Sequence, residues 1–239
     1  MKKTILPILT AALLASLAST QAQSLIRITE AMSSSGTGGT PDWIELSNLG
    51  NTAADITGWK VDDSSRAFGT SLLLNGITSI AAGESVVFFE TPTANLTGAW
   101  STDLTNFRNF WGGLSGVQVG YYGGAGIGLS SAGDGMVVFN SSGTEQSTYV
   151  SFAAATTGTS FNFVYNAATG VQTSAANALS VAGAYGATTV SAAWGGTGTA
   201  VSNTAGPGTI VTVPEPSSTA LLGLGTIALL GLRRLNPRA

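Results

Sequence analysis

The sequence predicts an all-β protein, a β-sandwich with an apolar targeting helix at each end. Short runs of β-branched and aromatic residues recur between turn signals such as residues 48–51 and 81–84. Between residues 23 and 213, only one segment has the spacing of an amphipathic helix. Seven or eight short strands joined by Gly-rich turns are typical of an immunoglobulin-like sandwich, and a small barrel is the alternative.

The first half of the chain supplies five of the predicted strands. The alternation of Ile26 and Ile28 indicates a strand with one buried face. The apolar run Val86–Phe89 indicates a strand that is buried on both faces. The predicted strands are residues 25–29, 43–46, 54–61 with a bend at Gly58, 72–74 and 85–90.

The second half begins with the predicted helix, residues 106–114, whose apolar stripe is Phe107, Phe110 and Trp111. The glycines of residues 121–128 lack a strand-then-helix context, so we do not expect a nucleotide site there. The remaining predicted strands are residues 136–139, 145–152 after a hairpin turn at 140–143, and 161–165. After residue 168 the sequence is low in complexity, and residues 206–208 are expected to close the domain.

The N-terminus has the three parts of a secretory signal peptide. Two lysines precede residues 5–18, which are nearly all Ile, Leu and Ala. As a helix this run spans about 21 Å, which is short for a membrane span. Small residues at Thr20 and Ala22 predict cleavage after Ala22, with Ala18 as the second choice. The predicted divisions are residues 1–22, 23–210 and 211–239.

The composition between residues 23 and 213 excludes several function classes. Four basic and eleven acidic residues give this region a net charge of −7. Because phosphate binding needs clustered Lys and Arg, no nucleic-acid partner is expected. The chain has no Cys and no His, which excludes disulfides, thiol nucleophiles, Cys/His zinc sites and a Ser-His-Asp triad.

Carboxylates are the remaining candidates for chemistry. Asp62, Asp63 and Asp134, and separately Asp42 with Glu45, are weak candidates for Ca²⁺ ligands, although none fits an EF-hand loop. Glycoside hydrolysis needs two carboxylates, but every acid lies near a turn signal or a strand end. We therefore expect solvated turn aspartates, no metal site, no cofactor and no enzyme activity.

Trp43 and Trp59 allow two interpretations. Both lie in strand-like segments next to short loops, which favours two core tryptophans. The alternative is an exposed aromatic platform for sugars.

Several short motifs recur in order along the predicted sandwich. They are residues 26–31, Asp42-Trp43-Ile44-Glu45-Leu46-Ser47-Asn48, residues 51–63 with Gly58-Trp59, residues 80–84, 107–112 and 129–134, and Pro207-Gly208. Together they resemble the lamin tail domain of bacterial proteins, over roughly residues 25–210 and most weakly over 153–205. The resemblance implies an immunoglobulin-like β-sandwich, no catalytic residues, and a role as an accessory or surface module.

The C-terminus has three parts in a fixed order. Pro214-Glu215-Pro216 precedes the uncharged residues 220–232, which span about 20 Å as a helix, and Arg233-Arg234 follows. The positive charges place the C-terminus on the cytoplasmic side of the membrane and the domain on the outer side. This arrangement resembles a PEP-CTERM sorting signal. The resemblance implies the secretion machinery, an exosortase-type processing enzyme, and a diderm bacterium that produces exopolysaccharide. A plain membrane anchor is the alternative.

The sequence therefore predicts a non-enzymatic exported protein. It would lie in the inner membrane transiently through its C-terminal helix, and then at the cell surface or in the extracellular matrix, where exopolysaccharide is a possible partner. The alternative is a surface module that binds carbohydrate or Ca²⁺, and a diverged hydrolase is the third hypothesis.

Overall fold

The computed structural model describes residues 22–92, 95–124, 127–166, 169–172, 178–209 and 212–213. In these ranges an α-helix, α1, spans Trp100–Phe110, and a short 3₁₀ turn spans Trp194–Gly196. The strands are β1 Ile26–Met32, β2 Trp43–Asn48, β3 Ala54–Asp55, β4 Lys60–Asp62, β5 Leu72–Leu73, β6 Ser79–Ile80, β7 Ser85–Pro92, β8 Gln118–Gly124, β9 Asp134–Phe139, β10 Val150–Phe152, β11 Phe161–Asn162, β12 Tyr165–Asn166, β13 Ala178–Leu179, β14 Thr188–Ala192, β15 Val201–Ala205 and β16 Thr212–Val213.

Two sheets form the sandwich and confirm the predicted all-β, immunoglobulin-like fold. A six-stranded sheet has the order β13-β11-β1-β2-β7-β8, and a four-stranded sheet has the order β10-β9-β4-β5. Short pairs β3–β6, β12–β16 and β14–β15 complete the described topology. Alternate side chains of both sheets meet in one apolar cluster that includes Ile28, Leu46, Phe88, Met136 and Val138.

The outer face of the six-stranded sheet is also covered, by α1 and the β14–β15 hairpin. A second buried cluster joins Trp43 and Phe89 of the sheet to Phe107 and Trp111, with Ala205 of β15 beside them. Strand β7 is consequently buried on both faces, as its apolar run predicts. The predicted burial of Trp43 and Trp59 is confirmed, and the interpretation of these two residues as an exposed platform is wrong.

The helix differs from its prediction in its bounds but not in its packing face. It begins at Trp100 rather than at residue 106 and ends at Phe110. Phe107, Phe110 and Trp111 pack against the sheet as their spacing predicts. The apolar stripe continues into the first turns through Trp100 and Leu104, which precede Phe107 at helical spacing, so the predicted start at residue 106 is wrong.

Several strands differ in their bounds from the predicted ones, or were not predicted, because pairing with distant strands defines them. Residues 161–165 form two separate strands, because β11 pairs with β1 while β12 pairs with β16. The Gly-rich β8 pairs in parallel with β7. Gly120 of β8 lies against the backbone of Asn75, where a side chain would collide with the Asn75 carbonyl.

The two predicted targeting helices lie outside the described residues, and of the signal region only Ala22 is described, as an exposed residue. Among the helices of the described ranges, none combines the length and apolarity needed to cross a bilayer.

Candidate functional site

Two glutamates are buried side by side in the six-stranded sheet, and no Lys or Arg of the described residues forms an ion pair with them. Glu30 of β1 and Glu45 of β2 are direct partners in the antiparallel register, and neither is exposed to solvent. Glu45 shares its face of β2 with Trp43, so the pair lies on the face that α1 and β14–β15 cover. A β-bulge at Thr29 brings its hydroxyl within 2.6 Å of Glu45 Oε1.

The hydrogen bonds to these carboxylates come from segments distant in sequence. Glu30 Oε1 accepts from the hydroxyls of Ser160 and Ser180 and from the backbone N–H of Gly206, while its Oε2 is buried with no hydrogen-bond partner among the described residues. Glu45 Oε2 accepts from the backbone N–H groups of Gly208 at 2.6 Å and Thr209 at 3.1 Å. The pair therefore holds the segment 206–209 against the sheet.

Burial governs the ionisation of this pair. It raises the pKa of Glu30 to about 7, although hydrogen bonds from Ser160 and Gly206 act in the opposite direction. Burial also raises the pKa of Glu45, and the negative charge of Glu30 raises it further. Because two adjacent carboxylates in an apolar interior resist ionising together, we infer that the pair retains a proton near neutral pH.

The segment held by the glutamates leads directly to the sorting tail. Strand β16 follows Thr209 closely and pairs in parallel with β12, with Tyr165 opposite Thr212. Pro214 is the next residue after β16. The described fold therefore continues to the first residue before the predicted sorting motif.

A second acidic group lies at one end of the sandwich. The backbone N–H of Glu90 donates to the Asp42 carbonyl, and Tyr122 pairs with Glu90 in the β7–β8 register. Desolvation raises the pKa of Asp42 to about 7, and the negative charges of Glu90 and Asp134 contribute. Within the part of the chain that the structure describes, the buried Tyr122 hydroxyl has no hydrogen-bond partner. Asp42 and Glu45 point to opposite faces of the sheet, so they do not form the Ca²⁺ site considered from the sequence.

The structure does not bring Asp62, Asp63 and Asp134 to one point. Asp62 of β4 is paired with Val137 of β9, so these two side chains point to the same face of the sheet. Asp134 lies three residues before Val137 on β9, so its side chain points to the opposite face. Each carboxylate accepts hydrogen bonds from backbone N–H groups. Asp62 accepts from Ala67, Asp63 from Ser65, and Asp134 from its neighbours Ser130 and Gly135 and from the distant Ser64. Among the described side chains, no group of three acids is arranged to hold a metal ion.

Replacing Asp62 by Ala is expected to destabilise the fold by about 2 kcal/mol, because Oδ2 accepts from both Ser65 Oγ and Ala67 N at 2.6 Å. Asp63→Ala is the matched control, with one local hydrogen bond to lose and an expected cost below about 1 kcal/mol. Urea denaturation with and without Ca²⁺ measures both. A Ca²⁺-dependent stabilisation that Asp62→Ala abolishes would instead identify a metal site.

The predicted sorting residues Pro214, Glu215, Pro216, Arg233 and Arg234 lie outside the described residues. From the sequence, Glu45 is a weak Ca²⁺-ligand candidate, and nothing singles out Glu30. The available signal is an acidic residue in the interior of each of two predicted strands, at positions that alternate with apolar residues.

The two packed sheets define the class of the protein as an immunoglobulin-like β-sandwich module. The family model of the Lamin Tail Domain matches residues 19–154, more than half of the chain, and the protein belongs to the lamin tail domain family. The matched segment ends before β11, whereas β11 and β13 belong to the same six-stranded sheet as β1. The segments that bind Glu30 and Glu45 therefore extend the fold beyond the match.

The PEP-CTERM protein-sorting motif matches residues 212–234. The protein is accordingly an exported protein with a C-terminal signal for an exosortase-type processing enzyme. No curated protein matches the chain.

Proposed function

We propose that this protein is a non-enzymatic component of the cell surface or extracellular matrix, delivered by its signal peptide and released from a transient inner-membrane stage by processing near Pro214. The observation that carries the proposal is the junction between domain and tail. The sorting match begins at residue 212, which is also the first residue of β16. Because β16 lies directly before Pro214, processing near Pro214 would leave every described strand in the released domain.

The environment of the carboxylates supports a non-enzymatic role. Glu30 and Glu45 are buried and bound by the chain's own hydroxyls and backbone N–H groups. Asp62 and Asp134 cap loop backbone. These acids serve the fold itself, and an extracellular matrix rich in exopolysaccharide is the proposed setting of the displayed domain.

Replacing Pro214, Glu215 and Pro216 together by Ala is expected to abolish C-terminal processing and to retain the full-length protein in the inner membrane. The reason is that the processing enzyme recognises the motif, whereas the folded domain is unchanged. Fractionation of cells, with mass spectrometry of the C-terminus, measures both effects. The matched control is Glu145→Gln, which alters an exposed acid of the folded domain.

Wild-type protein with a shortened C-terminus in the surface or matrix fraction would support the proposal. An intact C-terminus at residue 239 in wild-type cells, with the protein held permanently in the membrane, would overturn it in favour of a plain anchor. Turnover of a glycan by the purified domain would overturn the non-enzymatic part alone.

A further inference from the structure

A cleft of about 310 Å³ lies between the C-terminal half of α1 and the turn that joins β14 to β15. The helix contributes Asn106, Asn109 and Phe110 to its wall, and the turn contributes Ala192, Ala193 and two glycines. Helix and turn are each anchored elsewhere, the helix through Phe107 in the buried cluster and the turn through the Trp194 N–H, which donates to the Gly38 carbonyl at 2.7 Å. The cleft is thus a feature of the packed domain.

Two side-chain amides in this cleft have no hydrogen bond within the described structure. Asn106 is half-buried and Asn109 is exposed, and they are three residues apart on α1. Residues at this spacing are neighbours on a helix surface, about 5–6 Å apart at Cβ. Each amide presents two donor hydrogens and one acceptor oxygen, so the pair offers donors and acceptors together.

The glycines keep the opposite wall open. Gly195 and Gly196 have φ angles of 69° and 70°, in the left-handed region that favours glycine. A Cβ atom on Gly195 would lie 3.7 Å from Asn106 Nδ2, so a larger residue there would occupy the space in front of the amide. The turn leaves both amides accessible.

The residues that line the cleft indicate which class of ligand it can bind. No charged residue lines the cleft, which disfavours phosphate or carboxylate groups as ligands. Ala192 and Ala193, which are half-buried, present apolar surface beside the amides, and the buried Phe110 lies behind them. Amides that donate and accept next to an apolar wall complement a sugar ring, which has hydroxyls at its edge and C–H groups on its faces. We propose that this cleft binds one residue of a neutral saccharide, since its volume is at the lower end for ligand sites.

The test measures binding of neutral oligosaccharides to the full-length protein in detergent, by screening a panel of gluco-, manno-, galacto- and xylo-oligosaccharides and then by calorimetry. We expect at least one neutral oligosaccharide to bind, and Asn106→Ala/Asn109→Ala to weaken it about tenfold or more. Ala193→Leu, which fills the cleft but keeps both amides, should weaken it similarly. The matched control is Gln146→Ala, which removes an amide beside β9 in the other sheet and should leave affinity unchanged.

Melting temperatures of all variants establish that each is folded. The proposal is overturned if no neutral oligosaccharide binds at millimolar concentration, or if one binds with unchanged affinity to both cleft variants. Preferential binding of an anionic oligosaccharide or an uncharged peptide at this cleft would also overturn it. Because the cleft belongs to the folded domain, these outcomes are independent of whether the tail is processed.

Discussion

Raising the pH from about 4.5 to 8 is expected to lower the free energy of unfolding, with Glu30 alone contributing a loss on the order of 3 kcal/mol. The unfolded glutamate has a pKa near 4.5, whereas burial raises the pKa of Glu30 to about 7 in the folded protein. Between these values the folded state keeps a proton that the unfolded chain has released. The contribution of Glu30 is therefore complete below pH 4.5 and is lost as the pH rises through 7.

Three other acids also lower the free energy of unfolding as the pH rises. The raised pKa of Glu45 extends the loss to higher pH, and Asp42, with a pKa of about 7, contributes over the same window as Glu30. The pKa of Glu90 is also raised by burial. Urea denaturation at several pH values measures the combined effect as a decreasing free energy of unfolding.

The variant Glu30→Gln/Glu45→Gln isolates the pair. Glutamine at position 45 can accept from Gly208 N through its oxygen and donate to the hydroxyl of Thr29 through its nitrogen. The free energy of unfolding of this double variant should depend less on pH than that of the wild type. The pH dependence that is left should come from Asp42 and Glu90. Glu145→Gln, at an exposed pair with Arg66, should retain the wild-type profile. An unchanged profile in the double variant would mean that the buried pair does not titrate between these pH values.

Replacing Trp43 by Ala is expected to cost about 3–5 kcal/mol of stability. Its side chain is inaccessible to solvent and packs edge-to-face on Phe107 and Trp111, at centroid distances of 6.1 and 5.9 Å. Removing it leaves a cavity where the sheet meets α1. Its indole N–H has no partner in the described structure, so the loss comes from packing.

Trp100→Ala is the matched control for this substitution. Trp100 is half-buried and stacks on Tyr121 at 4.8 Å, so we expect less than half of the Trp43 effect. Chemical denaturation compares the two variants. Wild-type stability in Trp43→Ala, together with lost binding of a sugar, would contradict the assignment of Trp43 to the core.

The sequence predicted the parts of the fold that depend on local periodicity. Alternation identified β1, the apolar run identified β7, and the stripe of Phe107 and Phe110 identified the packing face of α1. The turn at residues 140–143 is present, with Gly143 N bonded to the Asn140 carbonyl. The sorting motif is equally a local signal, because its order along the chain is what the processing enzyme recognises.

The candidate sites were not predictable in this way. The β14–β15 hairpin is built from small residues whose pattern does not alternate strongly, and it is defined by its place on the outer face of the sheet. The cleft exists only because the turn after β14 approaches Asn106 of α1. The position of the hairpin and the presence of the cleft both depend on contacts between segments more than 80 residues apart. Local sequence patterns do not encode such contacts.

By itself the sequence determined the β-sandwich class, the C-terminal sorting signal and the exclusion of His- and Cys-dependent chemistry. Only the tertiary structure decided the roles of the acids. Asp62 and Asp134 look alike in the sequence as turn aspartates, yet the strand register sends them to opposite faces. Glu30 and Glu45 acquire their raised pKa values because folding buries them together under residues 206–209. The physical reason is that a carboxyl's ionisation depends on the solvent it loses and the charges it meets, and distant segments supply both.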